Sequence, residues 1–534
     1  MNIQVYNKLK QYIDLVVKKL YGNIIQYIDD KFSQIETSAV TNNTIDILEL
    51  FKIKFNTLYQ YDNKGRLTTK ECLGIDIYDP YQVVFLDPTT NKKQLPSEYV
   101  QIGEWENHEC PTTEYDLISP HTISTYFSEW SVYSEEFFLK YMPIEDLTHI
   151  YYSFVGIKGM MSPFSWMPSY NSESINRDLY SILILDRYAS IQMYLDNTDD
   201  YEHNCKGNFA ELIRIKKKFP DKKIILSIGG WSMSDSWHYI ITNECNMKKF
   251  TDNVVKFLEV FDFFDGIDID YEFPMGEGLT EYLGEDNPNE MINYSMLVSM
   301  LLDRLTPLGK TVSMTLGVDY KHIYQLDPAI LNKCDAVQLM TYDFYGTWSL
   351  SEFGFNSSLY AYPTLNQQFC VDWVVNYLIN KGVNRNQLAI GIAAYGRGWQ
   401  GLKPIEGKDK LTLEDILSGN VDTSEVIPFQ YGTLDIPTSE EGFASLTAIL
   451  DGIEANKDRD GFEYGEDKEY SKSGYFIDQD TGSFMTYDTK YTAEEKAKYV
   501  KANNLKGCFY WEAQTDKKFD IINGINIGLE NPSK

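Results

Sequence analysis

From residue 122 to the C-terminus, short apolar runs alternate with stretches in which apolar residues recur every three or four positions. The apolar runs fall at 123–130, 147–155, 223–230, 264–271, 311–317, 336–342, 388–395 and 507–511, and have the length of buried strands. Eight such runs separated by helical stretches predict an α/β fold, a (β/α)8 barrel of the TIM type. Two intervals are too long for simple connections: about 156–222 after the second strand, and about 400–490 between the last two. The second holds further ordered patterns at 442–449, 461–464 and 473–477, which predict a small α+β insertion between strands 7 and 8. The N-terminal pattern is different. Leu9, Ile13, Val16, Leu20, Ile24 and Ile28 recur at spacings of four and three, as on an amphipathic helix, and a polar stretch containing Pro96, Pro111 and Pro120 reads as a boundary. The organisation predicted is a mainly helical or mixed accessory or docking domain at 1–115, a barrel at 116–534, and an insertion at 400–490 inside it.

Composition narrows the classes. A formal net charge of -30 repels nucleic acid and anionic membranes and favours a neutral or cationic ligand. The seven cysteines are scattered singly without a CxxC pair, which argues against a disulfide framework or structural zinc, and the six histidines show no metal-ligand spacing. The expectation is therefore no metal and no cofactor. The first residues lack a basic segment followed by an apolar run, so no conventional signal peptide is visible, and no stretch has the roughly 18 apolar residues a membrane span needs.

The fourth run carries chemistry. Asp268, Asp270 and Glu272 stand at i, i+2 and i+4 and share one strand face, while Ile267, Ile269 and Tyr271 take the other. Three carboxylates this close cannot all ionise comfortably in a protected site, so at least one should keep its proton near neutral pH. A protonated carboxylic acid beside ionised neighbours is what a general acid requires. Asp265 has the opposite parity and reads as support for the cluster from behind.

The run Asp265-Gly266-Ile267-Asp268-Ile269-Asp270-Tyr271-Glu272 resembles the DxxDxDxE signature of glycoside hydrolase family 18, the chitinases. Four further segments resemble that family's motifs in order, each at a predicted strand end. They are Ser227-Ile228-Gly229-Gly230-Trp231, Met340-Thr341-Tyr342-Asp343-Phe344, Ala394-Tyr395-Gly396-Arg397 and Phe509-Tyr510-Trp511-Glu512. The resemblance covers about 120–525 and says nothing of 1–115. One departure is that Tyr271 and Phe273 flank Glu272 where the family often has Trp and Tyr.

The resemblance implies a chitinase that cleaves β-1,4 bonds between N-acetylglucosamine units with retention, acting on chitin or chitooligosaccharides. It implies Glu272 as general acid/base, Asp270 as the group that orients the substrate acetamido, Asp268 as its proton-sharing partner, and Tyr342 as a hydroxyl supporting that acetamido. Met340 and Asp343 would line the same subsite, and Tyr395 and Arg397 would be further cleft residues, Arg397 alternatively a structural ion-pair partner. Trp511 would form the floor under the cleaved sugar, with Trp231 and Trp348 as stacking platforms for its neighbours. Trp130 and Trp399 are candidates for either the cleft or the core. Ser227 reads as a hydrogen-bond partner of the acids, since no histidine lies in a neighbouring motif to activate it. Two alternatives share the fold: an endo-N-acetylglucosaminidase acting on N-glycans, and a non-catalytic chitin-binding lectin. The expected location is extracellular by a route other than a visible signal peptide. Residues 1–115 are expected to engage a protein partner, loosely resembling chitinase subunits of bacterial toxin complexes.

Overall fold

The structure, a computed structural model, describes residues 114–159, 179–194, 206–275 and 289–534. The N-terminal domain expected at 1–115 lies outside these residues apart from its last two.

Eight parallel strands close on themselves: β1 Thr122–Ser128, β2 His149–Ile157, β3 Lys223–Gly229, β4 Gly266–Asp270, β5 Thr311–Gly317, β6 Val337–Met340, β7 Leu388–Ala393 and β8 Gly507–Trp511. Each pairs with the next, and β8 returns to β1 with Thr122 opposite Gly507 and Thr125 opposite Tyr510. The predicted (β/α)8 barrel is therefore present. Helices Gly207–Lys218, Glu244–Val260, Glu290–Leu305, Val371–Asn380 and Lys490–Asn503 lead into β3, β4, β5, β7 and β8. Helix Glu244–Val260 shows why they form and how they dock. The Asn243 side chain caps its first turn by accepting from the Asn246 N–H, and Met247, Phe250, Thr251, Val254 and Leu258 make one buried stripe at three- and four-residue spacing.

Strand alternation sorts the interior from the outer core. Ile224, Leu226 and Ile228 of β3, Ile267 and Ile269 of β4, and Leu388, Ile390 and Ile392 of β7 face the helices in one large apolar core. The opposite faces put Tyr126, Tyr151, Ile225, Met340, Ala389, Ala393 and Phe509 inside the barrel, where Tyr342 and Tyr395 join them above. The interior also receives Ser227, Asp268, Asp270, Ser313 and Thr315, all buried.

Two expected strands end early. The run at 336–342 is strand only over Val337–Met340, leaving Tyr342 and Asp343 at the mouth, and the run at 388–395 breaks at Ala394. The next strand, Tyr395–Gln400, turns away from the barrel and pairs antiparallel with Phe443–Ser445 and Ser483–Tyr487, beginning a sheet completed by Ile427–Pro428, Gly474–Asp478 and Phe462–Glu466. With helix Leu446–Asn456 this is the α+β insertion between β7 and β8, starting five residues before the expected 400. Burial could not reveal the break, since residues on both sides of Ala394 are apolar and buried.

A buried ion pair joins lobe and barrel. Lys496 Nζ donates to both Asp488 oxygens at 2.5 and 2.7 Å and to the Ser357 carbonyl at 2.8 Å, with neither side chain of the pair exposed. Asp488 in turn accepts from the Ala393 N–H at 3.1 Å, which anchors the end of β7.

One cysteine departs from the sequence expectation: Cys245 is disulfide-bonded, its partner lying outside the described residues, while Cys334, Cys370 and Cys508 are free and buried. Pairing depends on the spatial approach of two backbones, which scattered single cysteines do not disclose. Among the described residues no helix is long and apolar enough to cross a membrane.

Candidate active site

The acid cluster is built by strand register. Ser227 of β3, Asp268 of β4 and Ser313 of β5 lie side by side across three strands, and Asp270 lies beside Thr315 one pleat higher. Asp268 Oδ2 accepts from Ser227 Oγ at 2.9 Å, Thr315 Oγ1 at 3.0 Å and the Tyr126 hydroxyl at 3.1 Å, while Oδ1 accepts from Ser313 Oγ at 2.8 Å. Burial raises the Asp268 carboxyl above its ordinary range and these hydroxyls partly offset it, Ser313 most. Asp270 has no such collar. Its carboxyl is raised well above normal by burial first, then by the charges of Glu272 and Asp268, and its Oδ1 is buried without a hydrogen-bond partner among the described residues. An orphaned acceptor in a dry site is costly unless a ligand's donor completes it.

Glu272 stands two residues beyond β4, at the mouth. Its backbone N–H donates to Ser234 Oγ at 2.9 Å, and its carboxylate accepts from the Trp231 N–H. Burial and then the charge of Asp343 raise its carboxyl to about 8, against the Trp231 bond. A carboxyl raised this far keeps its proton at neutral pH, and the causes are burial and Asp343 across the mouth, not the strand neighbours Asp268 and Asp270 on which the spacing argument rests.

The glycines after Ser227 have a steric reason. Gly229 and Gly230 have φ of 112° and 79°, and a Cβ on Gly229 would come within 2.1 Å of the Asp270 carbonyl oxygen. That oxygen accepts from the Gly230 N–H at 2.9 Å, so the turn lies directly over the acid strand.

Across the mouth, Asp343 has a left-handed backbone with φ of 55° and its N–H bonded to Asn356 Oδ1 at 2.9 Å. Arg397 grips it with two parallel bonds, Nε to Oδ1 at 2.8 Å and Nη2 to Oδ2 at 3.0 Å, and reaches Glu440 with Nη1 at 2.9 Å. The Tyr395 hydroxyl also donates to Asp343 Oδ1, at 2.8 Å. Arg397 is therefore an ion-pair partner of Asp343 and Glu440, the structural alternative that the sequence left open. Tyr342 sits edge-on to Tyr395 and Phe509, with ring centroids 5.9 and 6.1 Å apart.

The aromatic candidates divide by exposure. Trp231 is 47% exposed and Trp348 61%, available as surfaces for a ligand, and Arg397 lies over the Trp348 ring at 5.7 Å. Trp511 stacks on Phe154 at 5.6 Å and 20°, and Phe154 continues to the half-exposed Trp130 at 6.3 Å. Trp399 is fully buried in the lobe, stacked on Phe484 and donating to the Ser349 carbonyl at 2.9 Å, so it belongs to the core. Tyr271 and Phe273, the two departures from the family pattern, both find partners: the Tyr271 hydroxyl donates to Glu290, and Phe273 stacks on His322 at 4.3 Å.

Asp265 is corrected. It precedes β4, at the opposite end of the strand from Glu272, where it pairs with Lys216 at 2.8 Å and Lys223 at 3.5 Å and accepts from the Ile224 N–H at 2.8 Å. Its parity carries it outward to those lysines, so it fastens β4 to β3 and does not touch the acids. The residues that sequence reasoning missed are Tyr126, Ser313, Thr315, Ser234 and Phe154. Ser313 and Thr315 did leave a signal, being small polar residues at period two inside an apolar strand.

Because Asp343 stands second among the causes that raise Glu272, it yields a signed prediction. Asp343→Asn removes a negative charge and leaves Arg397 less compensated, both of which favour ionised Glu272. The alkaline limb of kcat/KM, expected near pH 8 for the native protein, should move to lower pH in a pH–rate profile of the variant. An unmoved limb, or one displaced upward, contradicts that coupling.

The family model Glycosyl hydrolases family 18 matches residues 122–516. A protein named Chitinase from Autographa californica nuclear polyhedrosis virus is 29% identical over 488 residues, covering 88% of this chain and 81% of its own. Chitinase A of Pseudoalteromonas piscicida is 29% identical over 445 residues, 77% of this chain and 53% of its own. Among solved structures, the chitinase Chi1 fitted into the Yersinia entomophaga toxin complex is similar in fold, with a TM-score of 0.65 and 20% identity over 79% of this chain and 87% of that one.

Proposed function

The chain belongs to glycosyl hydrolases family 18, and from that membership together with the acid cluster we propose that it is a chitinase that hydrolyses β-1,4 bonds between N-acetylglucosamine units with retention. The observation that carries the reading is the contrast between two neighbouring acids: Glu272 raised to about 8, and Asp270 with a buried oxygen lacking a partner among the described residues.

Glu272 donates its proton to the glycosidic oxygen as the bond to the anomeric carbon breaks. The acetamido carbonyl oxygen of the same sugar attacks that carbon, closing an oxazolinium-like ring, and no protein carboxylate bonds to the sugar. Asp270 accepts the acetamido N–H through Oδ1, which turns the carbonyl toward the anomeric carbon. Tyr342 donates to the acetamido group as a neutral hydroxyl; its phenol is held far above its usual range by burial and by the charges of Asp270 and Glu272, so it stays protonated. Glu272, now ionised, takes a proton from water, which opens the ring from the face the leaving group vacated and gives retention. Asp343 is occupied by Arg397 and Tyr395, which suits a charge that lines the subsite and does not attack.

Trp511 supplies the floor of the site, and Trp231 and Trp348 present faces to flanking sugars. Stacking on C–H faces lets an uncharged polymer bind a protein of charge -30. The names of the relatives and the several aromatic platforms both favour chitin. An extracellular location is part of the proposal, and the disulfide at Cys245 suits an oxidising compartment. Docking of a protein partner through 1–115 is also retained as a proposal.

The test is reducing-end release from chitotetraose by the native protein. Steady release supports the reading, and binding of the oligosaccharide without cleavage would leave the lectin reading in its place.

A further inference from the structure

The floor of the site is held unequally on its two sides. Toward β7 the backbone of Trp511 is paired: Trp511 stands opposite Ala393, and its carbonyl accepts from the Ala394 N–H at 2.8 Å. Toward β1 the paired register ends one residue earlier, at Thr125 opposite Tyr510. Beyond that point a side-chain bond takes over. The Ser128 hydroxyl, at the end of β1, donates to Glu512 Oε2. Both residues are buried. Ser128 Oγ also lies 3.5 Å from Ser153 Oγ of β2, the residue before Phe154.

Glu512 is itself fixed from behind. Its N–H donates to Thr515 Oγ1 at 3.3 Å and its carbonyl accepts from the same hydroxyl at 2.8 Å, a reciprocal box that sets the turn after β8. The residues whose ends meet here are those that carry the rings: Trp511 on β8, Phe154 on β2 and Trp130 just beyond β1. Their contacts, a stack at 5.6 Å between Trp511 and Phe154 and a tilted approach at 6.3 Å between Phe154 and Trp130, need the ends of three strands to keep one spacing.

We propose that Glu512 is a positioning residue of the sugar-binding floor: through Ser128 it ties the ends of β8, β1 and β2 together and so fixes Trp511 and Phe154 in the register that receives the substrate. It acts through the indole and touches neither the sugar nor the scissile bond. Nothing in the proton transfers assigned to Glu272 passes through it, so its loss falls on binding. The inference rests on the reading of Trp511 as a sugar platform.

The test compares Glu512→Ala, Ser128→Ala and Glu512→Gln with the native protein on chitotetraose, alongside tryptophan-fluorescence titration with the same oligosaccharide in a Glu272→Gln background. Ser128→Ala removes one hydroxyl and guards against a folding failure of Glu512→Ala. Both alanine variants should raise KM about tenfold with kcat changed by less than about threefold, the pattern of lost binding. Glu512→Gln, which keeps an acceptor for Ser128, should restore most of the affinity. The double alanine variant should be little worse than either single one, because one bond is removed in each case. Unchanged KM and titration midpoint in both alanine variants overturn the proposal, as does a glutamine variant no better than alanine, or a loss confined to kcat. A native protein that neither binds nor cleaves chitotetraose fails the functional reading itself, whereas an active native protein with unaffected variants fails this inference alone.

Discussion

Glu272→Gln should lower kcat on chitotetraose by about 10²–10⁴-fold, the range over which a positioned general acid/base contributes, while the fluorescence titration midpoint stays within about threefold of the native value. Glutamine has nearly the shape of the acid but no proton to give the leaving oxygen, and it cannot take one from water in the second step. Retained binding is expected because the carboxyl lies at the mouth, whereas the platforms are the rings of Trp511, Trp231 and Trp348. A variant whose kcat stays within a few fold of native would move the proton transfer to another group. Asp270 would be the next candidate, and its depth beside Asp268 would then need a different explanation.

Lys496→Met should be the most destabilising single substitution considered, lowering unfolding stability by about 3–5 kcal/mol, the cost of leaving a buried charge without its partner. The pair has no solvent access, and Asp488 is also fixed to the Ala393 N–H and to the Thr492 hydroxyl. Burial lowers the lysine's affinity for its proton and Asp488 opposes that shift, so the charges depend on one another. Adding Asp488→Leu to Lys496→Met should recover part of the loss, since two apolar side chains replace two ions while the Ala393 N–H and the Thr492 hydroxyl lose their acceptor. Urea unfolding reads both variants, with a fall in midpoint at constant slope marking a change in stability. A single variant that unfolds at the native midpoint would mean that the interior there relaxes or admits water.

The acid strand was legible because carboxylates at i, i+2 and i+4 contradict the apolar run that holds them, and contradictions of that kind concentrate at functional sites. The barrel was legible for a related reason. Runs such as Leu388–Ala393 carry no polar side chain on either face, as strands covered by helices outside and side chains inside must be. What escaped depends on contacts between distant positions. Arg397 and Asp343 are 54 residues apart, and only the pairing of Tyr395–Gln400 with Phe443–Ser445 aims the guanidinium at Asp343 and Glu440. Trp231 and Trp399 both follow family motifs closely, yet one lies on an open turn and the other inside the lobe. That difference comes from where the chain goes after Ala394, and Ala394 looks like any other buried residue. The hydroxyl collar of Asp268 is drawn from β1, β3 and β5, so no local pattern could assemble it. Asp265 was misassigned for want of the same information: its partner strand offers Lys223, and helix Gly207–Lys218 offers Lys216.

The central claim is that the nucleophile belongs to the substrate, and chemistry at the acetamido group tests it most directly. Initial rates should be compared on chitotetraose and on the fully deacetylated tetramer, with the anomer of the first product read by proton NMR before mutarotation. The account predicts cleavage of the acetylated tetramer to the β-anomer and no measurable cleavage of the deacetylated one. An α-anomer, or comparable rates on both substrates, would contradict it.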